Sequence, residues 1–573
     1  MSSASPPRRP GPDRVPLTLG VTAHRDPLDA EITAIEAQLQ DLFKDLQQRY
    51  PDTPLRLITP LAEGGDRIAA RVARARGIEL VVPLPLPRAE YERDFADAAS
   101  LEEFRGLLHD AQLIDLPAVA EREGADPLDR EQAYARAGAY TSDHCQILIA
   151  IWDGKPAGSP GGTADVVDYH QYGQMTPTTN GPDERRGLAP DDTDLVFHIV
   201  CSRDRPDGAP AEGLTPGAVR WLVTDPDRKE IPDIPIAQHL MLKRTGTFNR
   251  DHIDLPSDDA LAERLPGWRA ELASEADLAR TALYFSRADR LAGHFRNRYR
   301  GALRTLYLLA ALMGVAFIAY ADLDRREMIA AYLALFFIGW AVYRIAVRRE
   351  WHRRFLDYRA LAEGLRVQFY WRLAGVSGQL RNDFAYDNFL QKQDVEIGWI
   401  RNVMRYAGAP EAPATDRDGE VDAVIDHWIG TPGGRGQLGY FEARCRTHRM
   451  HVQRTERLVA ATLWLGIGIT IVLALFQQRL AEGIVTGMVA AMGILPLAAA
   501  VREAYAHKVA EKELLKQYQF MLTTYRTARF RLARCTTVDE KRDILRALGE
   551  AALDEHAEWI LIHRERPLEP GKL

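Results

Sequence analysis

Residues Thr305–Ala321 read TLYLLAALMGVAFIAYA, an uncharged apolar run close to the ~20 residues a helix needs to cross a ~30 Å hydrocarbon core. After Asp322-Leu-Asp-Arg-Arg-Glu327 a second run follows, Met328–Tyr343 (MIAAYLALFFIGWAVY). The arrangement recurs in Leu458–Phe476 and Gly483–Val501, separated by Gln477-Gln-Arg-Leu-Ala-Glu482. One such run alone fits a helix buried in a soluble core. Four of them in two tight hairpins read as four transmembrane helices.

The charges beside these runs give an orientation. Arg287, Arg290, Arg296, Arg298, Arg300 and Arg304 precede the first span, and Arg344, Arg348, Arg349, Arg353 and Arg354 follow the second. Arg444, Arg446, Arg449, Arg454 and Arg457 precede the third, and Arg502, Lys508, Lys512 and Lys516 follow the fourth. The positive-inside rule then predicts that both chain ends and the central segment face the cytoplasm. Tyr307, Tyr320, Tyr332, Trp340, Tyr343 and Trp464 stand near span ends as interfacial anchors. No Asp, Glu, Lys or Arg lies inside a span, which argues against a proton pump, an ion-coupled carrier or a voltage sensor. Gly466, Gly468, Gly487, Gly493 and Ala498–Ala500 allow close helix approach, and Pro496 is expected to kink the fourth span.

The hairpins read as copies. Tyr284-Phe285, Arg290 and Arg298 match Tyr440-Phe441, Arg446 and Arg454 at one spacing. Ala346-Val-Arg348 and Trp351 match Ala500-Val-Arg502 and Tyr505 at a spacing two residues shorter. The flanking segments Leu278–Arg304, Arg348–Leu373, Tyr440–Arg457 and Arg502–Arg534 mix apolar and charged residues at helical spacing, so they extend from the membrane and pack on one another or on a second subunit.

The averages conceal this division. The 573 residues are 46% hydrophobic and 27% charged, with net charge −7, and the mean hydropathy of −0.26 resembles that of a soluble protein. No global basic field attracts nucleic acid, and none is expected as a partner. Four single cysteines (Cys145, Cys201, Cys445, Cys535) form no CxxC pair, so neither a zinc site nor a disulfide framework is predicted. His24, His144 and His170 lack metal-ligand spacing. Residues 1–14, rich in Ser, Pro and Arg, read as a disordered leader without the apolar core of an export signal.

Residues 15–260 read as an α/β domain. Val15–Val21, Leu55–Ile58, Glu79–Leu84, Gln146–Trp152 and Leu195–Cys201, the last of the series, are short apolar strands. Helical stretches Asp29–Arg49, Ile68–Arg76 and Ala164–Tyr169 alternate with them, which predicts a parallel, Rossmann-like sheet with ligands beyond the carboxyl ends of its strands. Three loops fall there. Gly20-Val-Thr-Ala-His-Arg25 offers close backbone approach at Gly20, the Thr22 hydroxyl, His24 and the Arg25 cation. Glu63-Gly64-Gly65-Asp66-Arg67 opens a helix whose free N–H groups suit an anion, with Arg67 as its clamp. Gly161-Gly162-Thr163 opens another, one turn before Asp165, which is placed to accept from a ribose or to complement the helix dipole. Asp153-Gly154 completes the predicted nucleotide-binding set. There is no GxGxxG and no Walker A sequence.

The three loops, as Gly20-Val-Thr-Ala-His-Arg25, Leu61-Ala-Glu-Gly-Gly-Asp-Arg67 and Pro160-Gly-Gly-Thr-Ala-Asp165, resemble the SLOG superfamily, the Rossmann-like group uniting the DNA-processing protein DprA and the LOG phosphoribohydrolases. The C-terminal half resembles the SLATT membrane domains through Asp357-Tyr-Arg-Ala-Leu-Ala-Glu-Gly-Leu-Arg366, Phe369-Tyr-Trp-Arg-Leu-Ala-Gly375 and Trp399-Ile-Arg401. The pairing implies a sensor of a nucleotide-derived signal coupled to a membrane-perturbing effector in bacterial conflict. Two departures stand out. LOG enzymes carry PGGxGTxxE, whereas here Thr163 follows the glycines directly and the acid is Asp165. Two hairpins also replace the single two-span unit.

The expected architecture is an α/β Rossmann-like N-terminal domain plus an all-α C-terminal membrane domain with four transmembrane helices in two hairpins. Residues 261–407 form the first hairpin unit, 408–439 a linker, and 440–573 the second hairpin unit with C-terminal helices. The expected protein is a multi-pass, homo-oligomeric protein of the cytoplasmic (inner) membrane that binds a nucleotide-derived ligand and needs no cofactor. The alternatives are a membrane-tethered phosphoribohydrolase, with Arg67 and Asp165 as catalytic candidates, and a non-catalytic membrane scaffold.

Overall fold

A strand covered on both faces has no polar side to show, and ILIAIW (Ile147–Trp152) is such a strand: Ile147 to Ile151 are wholly buried. The computed structural model describes residues 14–95, 97–116, 130–158, 160–173, 175, 195–224, 230–253, 276–323, 325–376, 389–390, 395–408 and 420–564. Two compact units result, Met1–Asp258 with Leu390–Ala414, and Asp259–Phe389 with Thr415–Leu573.

In the first unit the elements run β1 (Leu17–Ala23), α1 (Ile32–Arg49), β2 (Leu55–Ile58), α2 (Gly65–Ala75), β3 (Glu79–Leu84), α3 (Ala98–Leu108), β4 (Gln112–Asp115), α4 (Arg130–Asp143), β5 (Ile147–Trp152), α5 (Thr163–Tyr172), β6 (Leu195–Val200), β7 (Val219–Leu222), β8 (Glu230–Ile231) and α6 (Ile236–Ile253). One sheet holds all eight strands in the order β4-β3-β2-β1-β5-β6-β7-β8. The first six are parallel, with Leu19 opposite Leu57 on one side and Ile147 on the other. Helix α1 places Ile35, Leu39, Leu42, Phe43 and Leu46 against the sheet at helical spacing.

The expectation that Leu195–Cys201 is the last strand is corrected here. The antiparallel strands β7 and β8 extend that edge, and their brevity hides them from an alternation pattern. Strand β4 also lay outside the reading, since among its residues only Ile114 is buried.

The second unit begins with α7 (Ala276–Asp322), α8 (Met328–Arg348) and α9 (Trp351–Leu373). Next in the chain, α10 (Trp399–Gly408) returns to the first unit. Its Trp399 ring lies 5.6 Å from Phe248 of α6, and Arg244 of α6 pairs with Glu396 at 2.8 Å. The sequence reading gave this segment to the first hairpin. It belongs with the α/β unit because Trp399, Ile400, Val403, Met404 and Ala407 form an apolar stripe that is buried there.

The linker reading of 408–439 is also revised. Residues 409–419 lie outside the described residues, but Val421–Ile429 is helical, with Val421, Val424, Trp428 and Ile429 buried. Trp428 stacks on Tyr370 of α9 with ring centroids 5.3 Å apart. An aromatic pair of this kind makes the segment part of the core.

The remaining helices are α11 (Gly436–Phe476), α12 (Glu482–Lys508), α13 (Glu511–Leu532) and α14 (Val538–Arg564). Four helices are long and apolar enough to cross a membrane, and they make an all-α unit of two hairpins, α7–α8 and α11–α12. Of the most apolar stretch of each, in chain order, 22%, 0%, 6% and 6% is buried. Trp464 is 70% exposed and Leu475 69%. Side chains so apolar and so uncovered match a hydrocarbon solvent rather than water. The first and fourth spans touch through glycine: a Cβ on Gly314 would meet Leu497 at 2.4 Å, and one on Gly493 would meet Ile318 at 3.0 Å. Helix α12 runs on through Pro496.

Both hairpins share a joint. Glu350 (φ 51°) breaks α8 from α9, and Ala510 (φ 54°) breaks α12 from α13. Left-handed backbone at a residue with a Cβ is uncommon. The joints pair Glu350 with Ala510, whereas the sequence register pairs Trp351 with Tyr505. The difference arises because α12 has 27 residues where α8 has 21.

Helix α14 packs on α9 through Gly549, where a Cβ would fall 2.2 Å from Trp371 Nε1, the group that donates to Leu545 O at 3.1 Å. Gly549→Ala is expected to push the indole off that carbonyl and destabilise the helical unit by about 1–3 kcal/mol. Thermal unfolding of the full-length protein followed by tryptophan fluorescence measures it.

Candidate functional site

Strand order reverses beside β1. The chain leaves β1 through α1 to β2 on one side, and after β4 it crosses through α4 to β5 on the other. The crevice so formed lies at the carboxyl ends of β1 and β5, where open α/β sheets bind ligands. His24 and Arg25 follow β1, and Asp153 and Gly154 follow β5.

The two ends are joined. The His24 amide donates to Ile151 O at 3.0 Å, and His24 Nε2 lies 3.1 Å from Asp153 Oδ1. The same Asp153 oxygen accepts from the Lys155 amide at 3.1 Å. Asp153 Oδ2 is buried without a hydrogen-bond partner, with Arg205 Nη2 at 3.9 Å. Burial pulls the Asp153 carboxyl upward, but the Lys155 N–H and His24 outweigh it and hold the group below the ordinary carboxylate range. Burial also holds His24 below the usual imidazole range, against the pull of Asp153.

Strand β6 adds residues that the sequence reading missed. Arg203 donates a two-pronged pair of bonds to Asp26 at 2.8 and 3.1 Å, and the Ala211 amide donates to Asp153 O at 2.8 Å. The rule that points to strand ends, applied to Leu195–Cys201, would have found Arg203 and Arg205. On the same strand, burial lowers His198 to about 4, where its Nε2 lies 2.8 Å from Trp152 O.

The second loop closes under the first. Gly64 sits at φ 80°, and a Cβ there would fall 2.3 Å from Arg25 O. Gly65 donates its amide to His24 O at 3.0 Å. These glycines bring the first turn of α2 against the end of β1, so the Gly65 N–H is occupied. Arg67 turns away from the crevice. Its Nε donates to Leu61 O at 3.2 Å, its Nη1 donates to Ser100 Oγ at 2.7 Å and Ser100 O at 2.9 Å, and the guanidinium lies 4.5 Å from the Phe95 ring. Ser100 Oγ in turn donates to Glu63. The clamp expected of Arg67 is thus a buried clasp between α2 and α3.

Arg25 remains exposed, its guanidinium 4.9 Å from the Tyr134 ring of α4. Ala135, the next residue, receives the third loop: a Cβ on Gly161 (φ 70°) would fall 2.7 Å from Ala135 N. Asp165 is buried, and its Oδ2 accepts from the Gly161 amide at 2.8 Å, so this carboxylate closes its own loop. Thr163 is buried beside it and Gly162 precedes α5. Gly20 lies inside β1, where a Cβ would meet Cys145 Sγ at 2.9 Å, so its bareness serves the packing of α4. Thr22 is buried in the same strand.

Of the predicted residues, His24, Arg25, Gly64, Gly65, Asp153 and Gly154 gather at the crevice. Arg67, Glu63, Asp165 and Gly20 are tied into the surrounding structure. A neutral imidazole backed by a carboxylate, beside an exposed guanidinium, can hydrogen-bond a polar ring or ribose and pair with a phosphate. Comparison with protein-family models, curated proteins and solved structures finds no match to this chain.

Asp66 heads α2 with its carboxyl buried. Burial raises it to about 7, against hydrogen bonds from Thr59 and the Ala62 amide and the charges of Arg25 and Arg67. Unfolded, it ionises near 3.8, so between 3.8 and about 7 the folded chain holds a proton that the unfolded chain has lost. The stability this proton confers is complete below that interval and vanishes as pH rises through it, a change of about 4 kcal/mol. Asp66→Asn should remove the slope, gaining by that amount on the native chain from acid to neutral pH. Hydrogen exchange of β1 and β2 amides across the interval reads the difference.

Proposed function

We propose that this chain is a ligand-gated membrane effector, a SLOG-type sensor of a nucleotide-derived anion joined to a SLATT-type helical unit in the bacterial inner membrane. The observation that carries the reading is the meeting of His24, Arg25 and Asp153 at the point where strand order reverses. Arg25 supplies a cation for phosphate, and the His24–Asp153 pair supplies directional hydrogen bonds for a base or ribose. The arginine-flanked apolar runs support insertion with both chain ends in the cytoplasm. Homo-oligomers of the two-hairpin unit then perturb the bilayer or form a pore, which suits antiviral defence. A ligand drives this only by binding the active arrangement more tightly than the resting one. Hydrolysis of an N-glycosidic bond has less support, because Arg67 and Asp165 are both engaged in internal bonds.

The test uses full-length protein in liposomes loaded with a self-quenched dye. AMP, ATP, NAD and cyclic dinucleotides are added in turn, and small molecules that co-purify are identified by mass spectrometry. At least one nucleotide is expected to bind and to release dye, and His24→Ala or Asp153→Asn should weaken that binding roughly tenfold or more. If no nucleotide binds or co-purifies, the sensor reading fails. Binding without leakage leaves a membrane scaffold, and release of a free base shows an enzyme.

A further inference from the structure

Below the spans the helical unit is a stalk of packed helices, and several of its charges are paired inside it. Asp357 lies between Arg353 and Arg564, and Glu363 between Arg359 and Arg366. Two outer faces differ. On α13, Lys516, Phe520, Thr523, Thr527 and Phe530 fall on one face by their helical spacing, with Arg531 beside them and Arg534 just past the helix end. All are exposed, Phe520 and Phe530 at 59% each, and the Arg534 guanidinium lies 3.5 Å from the Phe530 ring. On α14, Asp543, Ala547, Glu550, Asp554, Glu558 and Leu561 form a second exposed stripe with the same spacing. The first stripe is aromatic and basic, the second acidic. Among the described residues none of these cations or carboxylates has an ion pair, so the stripes do not satisfy each other within one chain.

Both stripes run along the stalk. Helix α13 descends beside α11, which continues into the third span: Lys512 pairs with Glu456 at 3.3 Å, and Arg526 with Glu442 at 2.6 Å. Helix α14 climbs back beside α9, from Leu545, whose carbonyl accepts from Trp371 at 3.1 Å, to Arg564, which pairs with Asp357 at 3.0 Å near the joint at Glu350. Copies held in one bilayer stand side by side on parallel axes. A stripe on the flank of one stalk therefore meets what a neighbour presents on its own flank. An unrelated partner would answer one stripe and leave the other open. A second copy of this chain carries the complement of both, and it covers two large rings that otherwise stand in water.

We propose that the α13 stripe of one copy docks on the α14 stripe of the next, head to tail. Phe520 and Phe530 supply apolar anchors, and the opposite charges select the partner face and set the register. Because the two surfaces differ, each added copy leaves one of each kind unoccupied until a ring closes. This contact supplies the self-association that the effector reading calls for, and it rests on that reading in taking the spans to share a bilayer. It requires no nucleotide.

The experiment uses the full-length protein in detergent micelles, where light scattering gives the protein mass of each particle over a range of concentrations. No nucleotide is added, so a chain that assembles but binds none fails the sensor reading alone. The native chain is expected to form particles of more than one copy. The triple variant Lys516→Glu, Arg531→Glu, Arg534→Glu sets acid against acid, and Asp543→Lys, Glu550→Lys, Asp554→Lys sets base against base. Each should raise the concentration of half-dissociation roughly tenfold or more. Mixed in equal amounts, the two variants should assemble as the native chain does, since every reversed stripe then meets its opposite on the other variant. That recovery also shows that both variants fold. The proposal is overturned if the native chain stays a single copy throughout, if either triple variant assembles as tightly as the native chain, or if the mixture recovers nothing.

Discussion

Strand β1 pairs in parallel with β2 on one edge and with β5 on the other, and a parallel neighbour is reached only by crossing over the sheet. Right-handed crossovers that leave in opposite directions put their helices on opposite faces. The space between the two departures cannot be filled by either crossover. His24 and Asp153 stand at this gap because they are the first residues past the paired strands, and the bond from the His24 amide to Ile151 O fixes their spacing. Gly64 and Gly65 then bring α2 close beneath, and Asp26 with Arg203 ties in the end of β6.

Much of this was legible in the sequence, for physical reasons. The strand runs LRLI and ELVVPL are mostly apolar and lie next to prolines, Pro54, Pro60 and Pro85, so their limits match β2 and β3. The four spans could be read because an uncharged run of that length has few uses outside a bilayer. The direction of Arg67 was not legible. A guanidinium on a long stem reaches either the crevice or α3, and Ser100 and Phe95, which decide it, lie some way along the chain. Strand β4 hid because an edge strand with one buried side chain carries no alternation. The role of α10 hid because an amphipathic helix shows that it must be covered, not by what. Arg203 was passed over because the first glycine of its loop, Gly208, stands five residues further on rather than at the strand end.

The helical unit joins two environments. Along the spans, large apolar side chains are exposed; below them, charge is buried. Glu363 is pushed up by burial, yet Arg359 and Arg366 overcome this and hold it near 2. Asp357 accepts from Arg353 at 2.9 Å and from Arg564 at 3.0 Å, joining α9 to the far end of α14. Buried pairs of this sort add little net stability, but breaking one leaves an uncompensated charge, so they penalise wrong helix registers more than they reward the right one.

The return of α10 to the α/β unit bears on how the chain is threaded. Helix α6 precedes the first hairpin and α10 follows it, yet Phe248 and Trp399 lie in one core. Two segments that share a core lie on one side of any barrier, so the chain between them crosses an even number of times. The parity of the first hairpin is therefore set by packing, without appeal to the arginines. It also orders events during synthesis: the α/β unit stays unfinished until residue 408 has been made, after both helices of that hairpin.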